Sequence, residues 1–273
     1  MKLWFRQPAS EWEHALPIGA GRLGAMVHGD PALEHLQLNE ETLWAGEPRD
    51  VNNPRALGSL ARVRELLFEG RVTQATELAD ADLLGDPCKI RPYQTLGNLR
   101  LAMDHSSDTT SYRRELDLES GIATVRYEVG GERYLRETFA SHPAQAILMR
   151  IACDRAPADG RRRRLAIRLD REDGGRGRSE GDATLVLSGC AEGADADAKG
   201  VVYAASVVAF PDDGSVTVTE RDGEDWLIVL WRESVNVVVT GATSFRGADP
   251  HVSNREILES VGSRAYARHR AEH

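Results

Sequence analysis

The chain has 273 residues, of which 41% are hydrophobic and 28% are charged, so it can form a core and is not a disordered chain. Its net charge is -9, and no run approaches the ~18 consecutive apolar residues of a membrane-spanning helix. These values argue against a nucleic-acid-binding protein and against an integral membrane protein.

The first 38 residues predict three short strands, Leu3–Arg6, Arg22–His28 and Leu33–Leu38. Gly19–Gly24 has the G-x-G-x-x-G spacing of a dinucleotide-binding loop, but Pro17 precedes it and a strand pattern follows it. We therefore interpret this segment as a glycine-rich turn and expect no cofactor. The N-terminus lacks the apolar stretch and cleavage site of a secretory signal, so a cytoplasmic location is expected.

The next segment, L-Q-L-N-E-E-T-L-W-A-G, combines the side chains that sugar-binding sites use. Asn39, Glu40 and Thr42 could bind hydroxyl groups, and Trp44 could pack against the C–H face of a sugar ring. Glu40 and Glu41 are adjacent, so in a strand they point to opposite faces and make a poor pair of catalytic carboxylates. The alternative, which composition alone favours, is a strand end with Trp44 in the core.

Residues 54–84 predict a helical hairpin. Asn53 can cap the first helix, and Pro54 suits its first position, where no backbone N–H is needed. Gly70 ends the first helix, and Gly85 followed by Pro87 ends the second. The apolar residues at helical spacing are Leu57, Leu60, Val63 and Leu67, and then Val72, Ala75, Ala79 and Leu83.

From about residue 95 to residue 243 the hydrophobic pattern alternates with a period of two, which is typical of strands. Ile122–Val129 and Glu132–Ser141 flank Gly130-Gly131, and two glycines suit the positive φ angles of a tight hairpin turn. Many short strands with polar turns and no intervening helix predict a mainly β fold, an antiparallel β-sandwich. The further predicted strands are Ile147–Cys153, Leu165–Leu169, Ala183–Ser188, Val201–Phe210, Ser215–Thr219, Trp226–Trp231 and Val235–Thr240.

The last segment, Ser253–His273, predicts one helix capped by Ser253 or Asn254. Its apolar stripe comprises Ile257, Leu258, Val261 and Ala265. His269 and His273 have the i, i+4 spacing of metal ligands, but no third ligand is near in the sequence, so we expect an exposed helix end and no metal.

Cysteine and arginine patterns favour structural roles. The three cysteines lack the spacing of a disulfide framework or a zinc site, and Cys153 and Cys190, at strand ends, are predicted to be buried. The densest basic run, Arg161–Arg164, could bind an anion. Flanking aspartates and the absence of interleaved aromatic residues favour a solvated loop that enters a strand.

Seven motifs occur in a fixed order along the chain. They are E-W-E-H-A-L-P-I-G-A-G-R-L-G (11–24), A-M-V-H-G (25–29), L-Q-L-N-E-E-T-L-W-A-G-E-P-R-D (36–50), N-N-P (52–54), L-L-F-E-G (66–70), Y-Q-T-L-G-N-L (93–99) and A-T-S-F-R-G (242–247). This ordered set closely resembles the N-terminal domain of glycoside hydrolase family 95, whose members are largely α-L-fucosidases, with some α-L-galactosidases. Ala20 stands where the family commonly has asparagine, and Ala45 and Glu47 replace a serine and a glycine.

The resemblance implies a large antiparallel β-sandwich, a super-sandwich, over residues 1–250, with a helical hairpin insertion at about 54–84. Residues 251–273 would then begin a C-terminal linker helix. In the family a catalytic (α/α)6 barrel follows, and its glutamic acid and its asparagine–aspartate pair perform inverting hydrolysis. We expect that barrel to be absent from this chain, so no catalytic residue is assigned.

The resemblance also suggests a role for the tryptophan motif. Asn39, Glu40, Thr42 and Trp44 match its distinctive positions, and we hypothesise that this loop shapes the rim of a sugar site completed by the barrel. Alternatively, the loop only packs against the barrel or the sandwich. The expected partners are a fucosylated glycan and a barrel domain, in cis or in trans.

Three functions remain open at this stage. The chain could be the part of an α-L-fucosidase-like hydrolase that is inactive alone. It could instead be a carbohydrate-binding module without hydrolytic activity, or a non-functional truncated remnant.

Overall fold

The computed structural model describes residues 1–46, 49–157, 159–191, 200–262 and 266–273. The fold is mainly β, as predicted, with two large antiparallel sheets. The chain forms two compact units. The first comprises Met1–Leu43, Gln94–Ala191 and Val201–His273 and contains both sheets, whereas the second is centred on Trp44–Tyr93 and contains the helical hairpin.

The strands account for most of the first unit. In chain order they are β1 (Lys2–Phe5), β2 (Leu16–Gly19), β3 (Leu23–Val27), β4 (Leu33–Glu40), β5 (Gly97–Met103), β6 (Thr110–Asp117), β7 (Ile122–Val129), β8 (Glu132–Ser141), β9 (Ala146–Cys153), β10 (Arg163–Asp170), β11 (Arg178–Ser179), β12 (Thr184–Ala191), β13 (Val201–Pro211), β14 (Ser215–Arg221), β15 (Glu224–Trp231) and β16 (Ser234–Thr243). The helices are α1 (Ala56–Phe68), α2 (Val72–Asp82), α3 (Pro250–Val261) and α4 (Tyr266–Glu272), with short 3-10 helices at Trp12–His14 and Ser244–Arg246.

The two sheets of the first unit share one hydrophobic core. The nine-stranded sheet has the order β1-β6-β7-β8-β9-β16-β13-β12-β11, and the seven-stranded sheet has the order β14-β15-β10-β5-β4-β3-β2. Alternate residues of each strand point inward, as Leu36 and Leu38 of β4 and Ile167 and Leu169 of β10 illustrate. This alternation is what the period of two predicted.

The core also holds a buried ion pair. Glu34 on β4 and Arg136 on β8 are each about 1% exposed, and Nη1 of Arg136 hydrogen-bonds to Oε2 of Glu34. Arg136 also donates to the carbonyl oxygens of Asp30, at 3.0 Å, and Pro31, at 3.2 Å. Burial opposes the charge of Arg136, but the carboxylate of Glu34 raises the arginine pKa above its usual value.

The predicted hairpin at Gly130-Gly131 is confirmed. β7 and β8 pair from Val129↔Glu132 onward, and the two glycines have φ angles of 60° and 77°. These positive values suit the two-residue turn whose twist matches that of the strands. The glycine-rich segment Gly19–Gly24 is likewise a turn: it joins β2 to β3, and Gly19 pairs with Gly24.

Four strands escaped the sequence analysis: β2, β5, β6 and β11. β2 is only four residues long and contains Pro17, and β11 has two residues. β6 carries a register irregularity between Thr110 and Arg113, which interrupts its alternation. It pairs with β1, and its Glu115 accepts from Lys2 at 2.9 Å and from arginines on either side.

The helical hairpin forms the second unit, with two corrections. α1 begins at Ala56 rather than at Pro54, because the Asn53 side chain accepts from the backbone N–H of Arg55 in a turn before the helix. The buried seam contains Val63 and Leu66 of α1 and Ala75 of α2. The predicted stripe was therefore wrong in part, since Leu57 is 85% exposed and Leu67 is 51% exposed.

The C-terminal segment is two helices rather than the single helix predicted. Asp249 caps α3 by accepting from the backbone N–H groups of His251 and Val252, with Pro250 at the first turn. The proposed caps Ser253 and Asn254 thus lie inside the helix, and Gly262 ends it. The predicted apolar residue Ala265 lies outside the described residues.

α3 and α4 cover the outer face of the nine-stranded sheet. Their Val261 and Tyr266 pack with Phe139, Leu148 and Val238 of that sheet. The predicted exposed helix end is wrong for His269, which is 4% exposed. His273 is exposed as predicted, although its ring stacks on Phe139 with centroids 4.6 Å apart.

Two further expectations need correction. Arg163, within the basic run, is buried rather than solvated: it donates to Tyr134 Oη at 3.0 Å, and its guanidinium lies 5.4 Å from the Trp231 ring centroid. Cys153 is buried as predicted, whereas Cys190 is exposed. None of the helices in the described ranges is long and apolar enough to cross a membrane.

Candidate functional site

The tryptophan motif begins at the end of β4, where the strand alternation separates its polar residues. Glu40 follows Leu36 and Leu38 on the inward face and is 2% exposed. Asn39 lies on the outward face and is half-buried, and Glu41 is exposed. The expectation that the two adjacent glutamates face apart is therefore confirmed.

Glu40 and Thr42 are brought together by direct hydrogen bonds. Oε2 of Glu40 accepts from the backbone N–H of Thr42 at 2.7 Å and from its hydroxyl at 2.6 Å. The Thr42 hydroxyl also hydrogen-bonds to that of Thr243 at the end of β16. All three side chains are at least nine-tenths buried, so water does not replace these bonds.

Arg22, in the turn between β2 and β3, joins the same group of residues. Its Nε donates to Gln145 Oε1 at 2.9 Å and its Nη2 to the Gln145 carbonyl at 3.0 Å, and its Nη1 donates to the Gly241 carbonyl. The Glu40 carboxylate lies 3.9 Å from Nη1. Burial lowers the Arg22 pKa, and the neighbouring carboxylates of Glu40 and Glu41 oppose that shift.

We call Arg22, Glu40, Thr42, Gln145 and Thr243 the β4-end cluster. It ties the β2–β3 turn and the end of β4 to the β8–β9 turn and the end of β16, which lie much later in the sequence. At its edge the exposed Glu41 pairs with Arg246 at 2.7 Å. The cluster consists of internal hydrogen bonds, so its chemistry is to hold backbone segments in place rather than to transfer a proton.

Trp44 belongs to the second unit. It is half-buried, forms an isolated β-bridge with Tyr93, and meets the Tyr93 ring edge-on with centroids 4.9 Å apart. The backbone N–H of Ala45 donates to the Pro92 carbonyl at 2.9 Å. Gly46 has a φ of 79°, and a Cβ there would overlap the Arg91 guanidinium, so this position requires glycine.

A second group of polar residues lies on the outward face of the seven-stranded sheet. Gln37, Asn98 and Asp170 lie opposite one another on β4, β5 and β10, and His35 and Arg100 form the adjacent pair. Nδ2 of Asn98 donates to Asp170 Oδ1 at 2.9 Å, and Arg100 Nε donates to Asp170 Oδ2 at 2.6 Å. This leaves Asn98 Oδ1 to accept from His35 Nε2 at 2.8 Å.

The same face carries an exposed tryptophan. Trp12, in the short helix before β2, is 53% exposed and donates its indole N–H to Gln37 Oε1 at 2.7 Å. His28 stacks on His35, with ring centroids 4.5 Å apart. Burial lowers the His35 pKa, against the hydrogen bond to Asn98, so this imidazole is neutral near pH 7. We call Trp12, His35, Gln37, Asn98, Arg100 and Asp170 the outer polar network.

The structure brings together two of the four predicted sugar contacts. Glu40 and Thr42 are buried together, Asn39 lies on the opposite face of the strand, and Trp44 lies in the second unit. Sequence reasoning missed Arg22, although it is part of the glycine-rich motif, and Trp12, which opens the first motif. Within the described ranges, no three His, Cys, Asp or Glu side chains are grouped to hold a metal ion.

Comparison with known proteins identifies the family. The family described as "Glycosyl hydrolase family 65, N-terminal domain" matches residues 3–248. The chain is similar to "Alpha-L-fucosidase 2" of Arabidopsis thaliana, 44% identical over 154 residues, and to "Probable alpha-fucosidase A" of Aspergillus oryzae, 34% identical over 154 residues. Each match covers 55% of this chain, but only 18% and 21% of those proteins.

Among solved structures, the fold is similar to that of "Putative kojibiose phosphorylase from human microbiome". The TM-score is 0.50 with 8% sequence identity, over 99% of this chain and 36% of the other. At this identity the similarity concerns the fold alone.

Proposed function

The chain belongs to the family of glycosyl hydrolase family 65 N-terminal domains, and from this premise we propose that it is the β-sandwich domain of an α-L-fucosidase-type hydrolase. The observation that supports the fucosidase type is the 44% identity to the Arabidopsis α-L-fucosidase. That identity, together with the motifs of residues 11–54, favours family 95.

In this proposal the chain does not hydrolyse glycosides alone. A glycosidase needs two carboxyl groups flanking the scissile bond, one of them protonated. The only adjacent pair in the tryptophan motif, Glu40 and Glu41, faces apart, and the Glu40 carboxylate is occupied by Thr42. The complete enzyme would use carboxyl groups from a further domain and would hydrolyse terminal α-L-fucosides with inversion.

Activity assays test this proposal directly. The isolated chain should give no release of aryl alcohol from an aryl α-L-fucoside above the buffer rate. Turnover that co-purifies with the chain and disappears in a Glu40→Gln variant would contradict it. A full-length relative should turn over the same substrate under identical conditions, which shows that the assay is competent.

The tryptophan motif would shape the rim of the sugar site in the complete enzyme. Glu40 and Thr42 would fix the loop, and Asn39 and Trp44 would contact the substrate. The test replaces the tryptophan of the same motif with alanine in a full-length relative. We expect a raised KM or a lowered kcat. Unchanged kinetics with reduced stability would support the alternative, in which the loop only packs.

A carbohydrate-binding module without hydrolytic activity is the second candidate. The observation that favours it is the exposed Trp12 on the outer polar network, because an indole beside amide groups is a common sugar-binding arrangement. The third possibility, a non-functional remnant, would show neither hydrolysis nor saturable sugar binding.

A further inference from the structure

The outer face of the seven-stranded sheet differs from an ordinary solvated sheet face. Its polar side chains form two hydrogen-bonded groups, Trp12 with Gln37, and His35 with Asn98, Asp170 and Arg100 on the neighbouring strands. β4, β5 and β10 hold these groups, so their spacing is set by the strand separation of about 4.8 Å. Such groups are pre-oriented and lose little freedom when a ligand binds.

The orientation of the Gln37 amide follows from its partner. The Trp12 indole N–H can only donate, so the atom that it meets is the carbonyl oxygen of Gln37. The Gln37 amide nitrogen makes no hydrogen bond to any residue in the described ranges, and the side chain is half-exposed. This nitrogen is therefore an oriented donor at the surface, beside an exposed indole ring.

The charges on this face are matched by partners. Arg100 lies 2.6 Å from the carboxylate of Asp170, and Arg168 lies 2.9 Å from that of Glu224. Arg168 also lies over the ring of Trp226, 5.2 Å from its centroid. Paired charges offer no strong attraction to an ion, so the face suits a neutral ligand.

We propose that the outer polar network is a carbohydrate-binding surface for a neutral oligosaccharide. The Trp12 indole packs against the C–H face of one sugar ring, and the Gln37 amide donates to a hydroxyl of the same or the next ring. The half-buried Asn39 extends the row along β4, which brings one of the predicted sugar contacts onto this surface.

The surface suits an extended glycan. β4 and β15 are separated by β5 and β10, so these two strands lie about 14 Å apart across three strand spacings. That span exceeds one sugar ring, so binding should strengthen from monosaccharide to trisaccharide. The choice of a fucosylated probe rests on the function proposed above, whereas the surface itself is argued from geometry alone.

The test is titration of the full chain with 2′-fucosyllactose, followed by NMR of the tryptophan indole N–H groups. We expect a saturable shift of the Trp12 signal, and weaker binding of L-fucose. Trp12→Ala should reduce affinity about tenfold or more, because the stacked ring is lost. Trp4→Ala is the matched control: Trp4 is 47% exposed on β1 of the other sheet, and affinity should stay within about twofold.

Further variants keep the result interpretable. Trp12→Phe retains a ring but removes the indole N–H, so it should bind with intermediate affinity even if Trp12→Ala folds poorly. Gln37→Leu should also weaken binding. No saturable shift at roughly 10 mM sugar, or equal losses in the Trp4 and Trp12 variants, would overturn the inference. Self-association of the chain that shifts the Trp12 signal in the absence of sugar would also overturn the inference. These outcomes leave the proposed hydrolase assignment intact, since that is tested by activity.

Discussion

Replacing Thr42 with valine should destabilise the sandwich by about 2–4 kcal/mol without altering glycan binding. Valine has the same shape but removes the hydroxyl that donates to Glu40 at 2.6 Å and bonds to Thr243. A hydrogen bond to a charged group is worth about 1.5–3 kcal/mol and a neutral one about 1 kcal/mol. Thr42 is 7% exposed, so water cannot take over either partner.

Urea unfolding followed by tryptophan fluorescence measures this loss of stability. We expect a lower urea concentration at the midpoint of unfolding, with an unchanged dependence of the free energy of unfolding on urea concentration. Thr42→Ser is the control, because it keeps the hydroxyl and loses only a methyl group, at about 1 kcal/mol. A valine variant within about 0.5 kcal/mol of the natural chain would refute the structural role of the cluster. Normal stability with weakened glycan binding would instead make Thr42 a ligand contact.

Three further predictions concern stability elsewhere in the sandwich. Arg136→Met should lower the free energy of unfolding by about 3–5 kcal/mol, because Glu34 is left buried without its cation. Adding Glu34→Leu should restore much of this stability in thermal unfolding, and no recovery would contradict the role of the ion pair. Asp249→Ala should cost about 1 kcal/mol through loss of the α3 cap, and unchanged stability would exclude that capping role. Glu115 accepts a hydrogen bond from Lys2 and two more from arginines, and these lower its pKa from 4.5 to about 2. The ionised carboxylate therefore stabilises the fold above pH 4.5, and this stabilisation is lost as the pH falls through about 2. The stability gap between the natural chain and Glu115→Gln should therefore close over that range, and a constant gap would refute the assignment.

Local patterns predicted the parts of the fold that depend on neighbours in sequence. The hairpin at Gly130-Gly131 was predictable because two consecutive positive φ angles favour glycine strongly. The alternation of β4 placed Glu40 and Glu41 on opposite sides for the same local reason. The start of α3 was predicted too late, at Ser253 or Asn254, because these residues precede the apolar stripe, although Asp249-Pro250 is also a strong local signal for a helix start.

The candidate site depended on contacts that no local pattern contains. Thr42 and Thr243 are 201 residues apart, and Arg22 reaches Gln145 across 123 residues. Sequence composition could indicate a sugar-binding residue set, but it could not show that Glu40 is occupied internally. Nor could it show that Trp12 meets Gln37, since that contact depends on how β4 pairs with β3.

The order of strands in the nine-stranded sheet has a consequence for how the domain folds. β16, the last strand in the described residues, lies inside this sheet between β9 and β13, whereas the first strand, β1, pairs with β6 more than a hundred residues later. Until about residue 243 is synthesised, the sheet exists as two separated parts with open edges. Folding of this sheet is therefore expected to be slow, and nascent chains should depend on chaperones that shield its unpaired strands until β16 joins them.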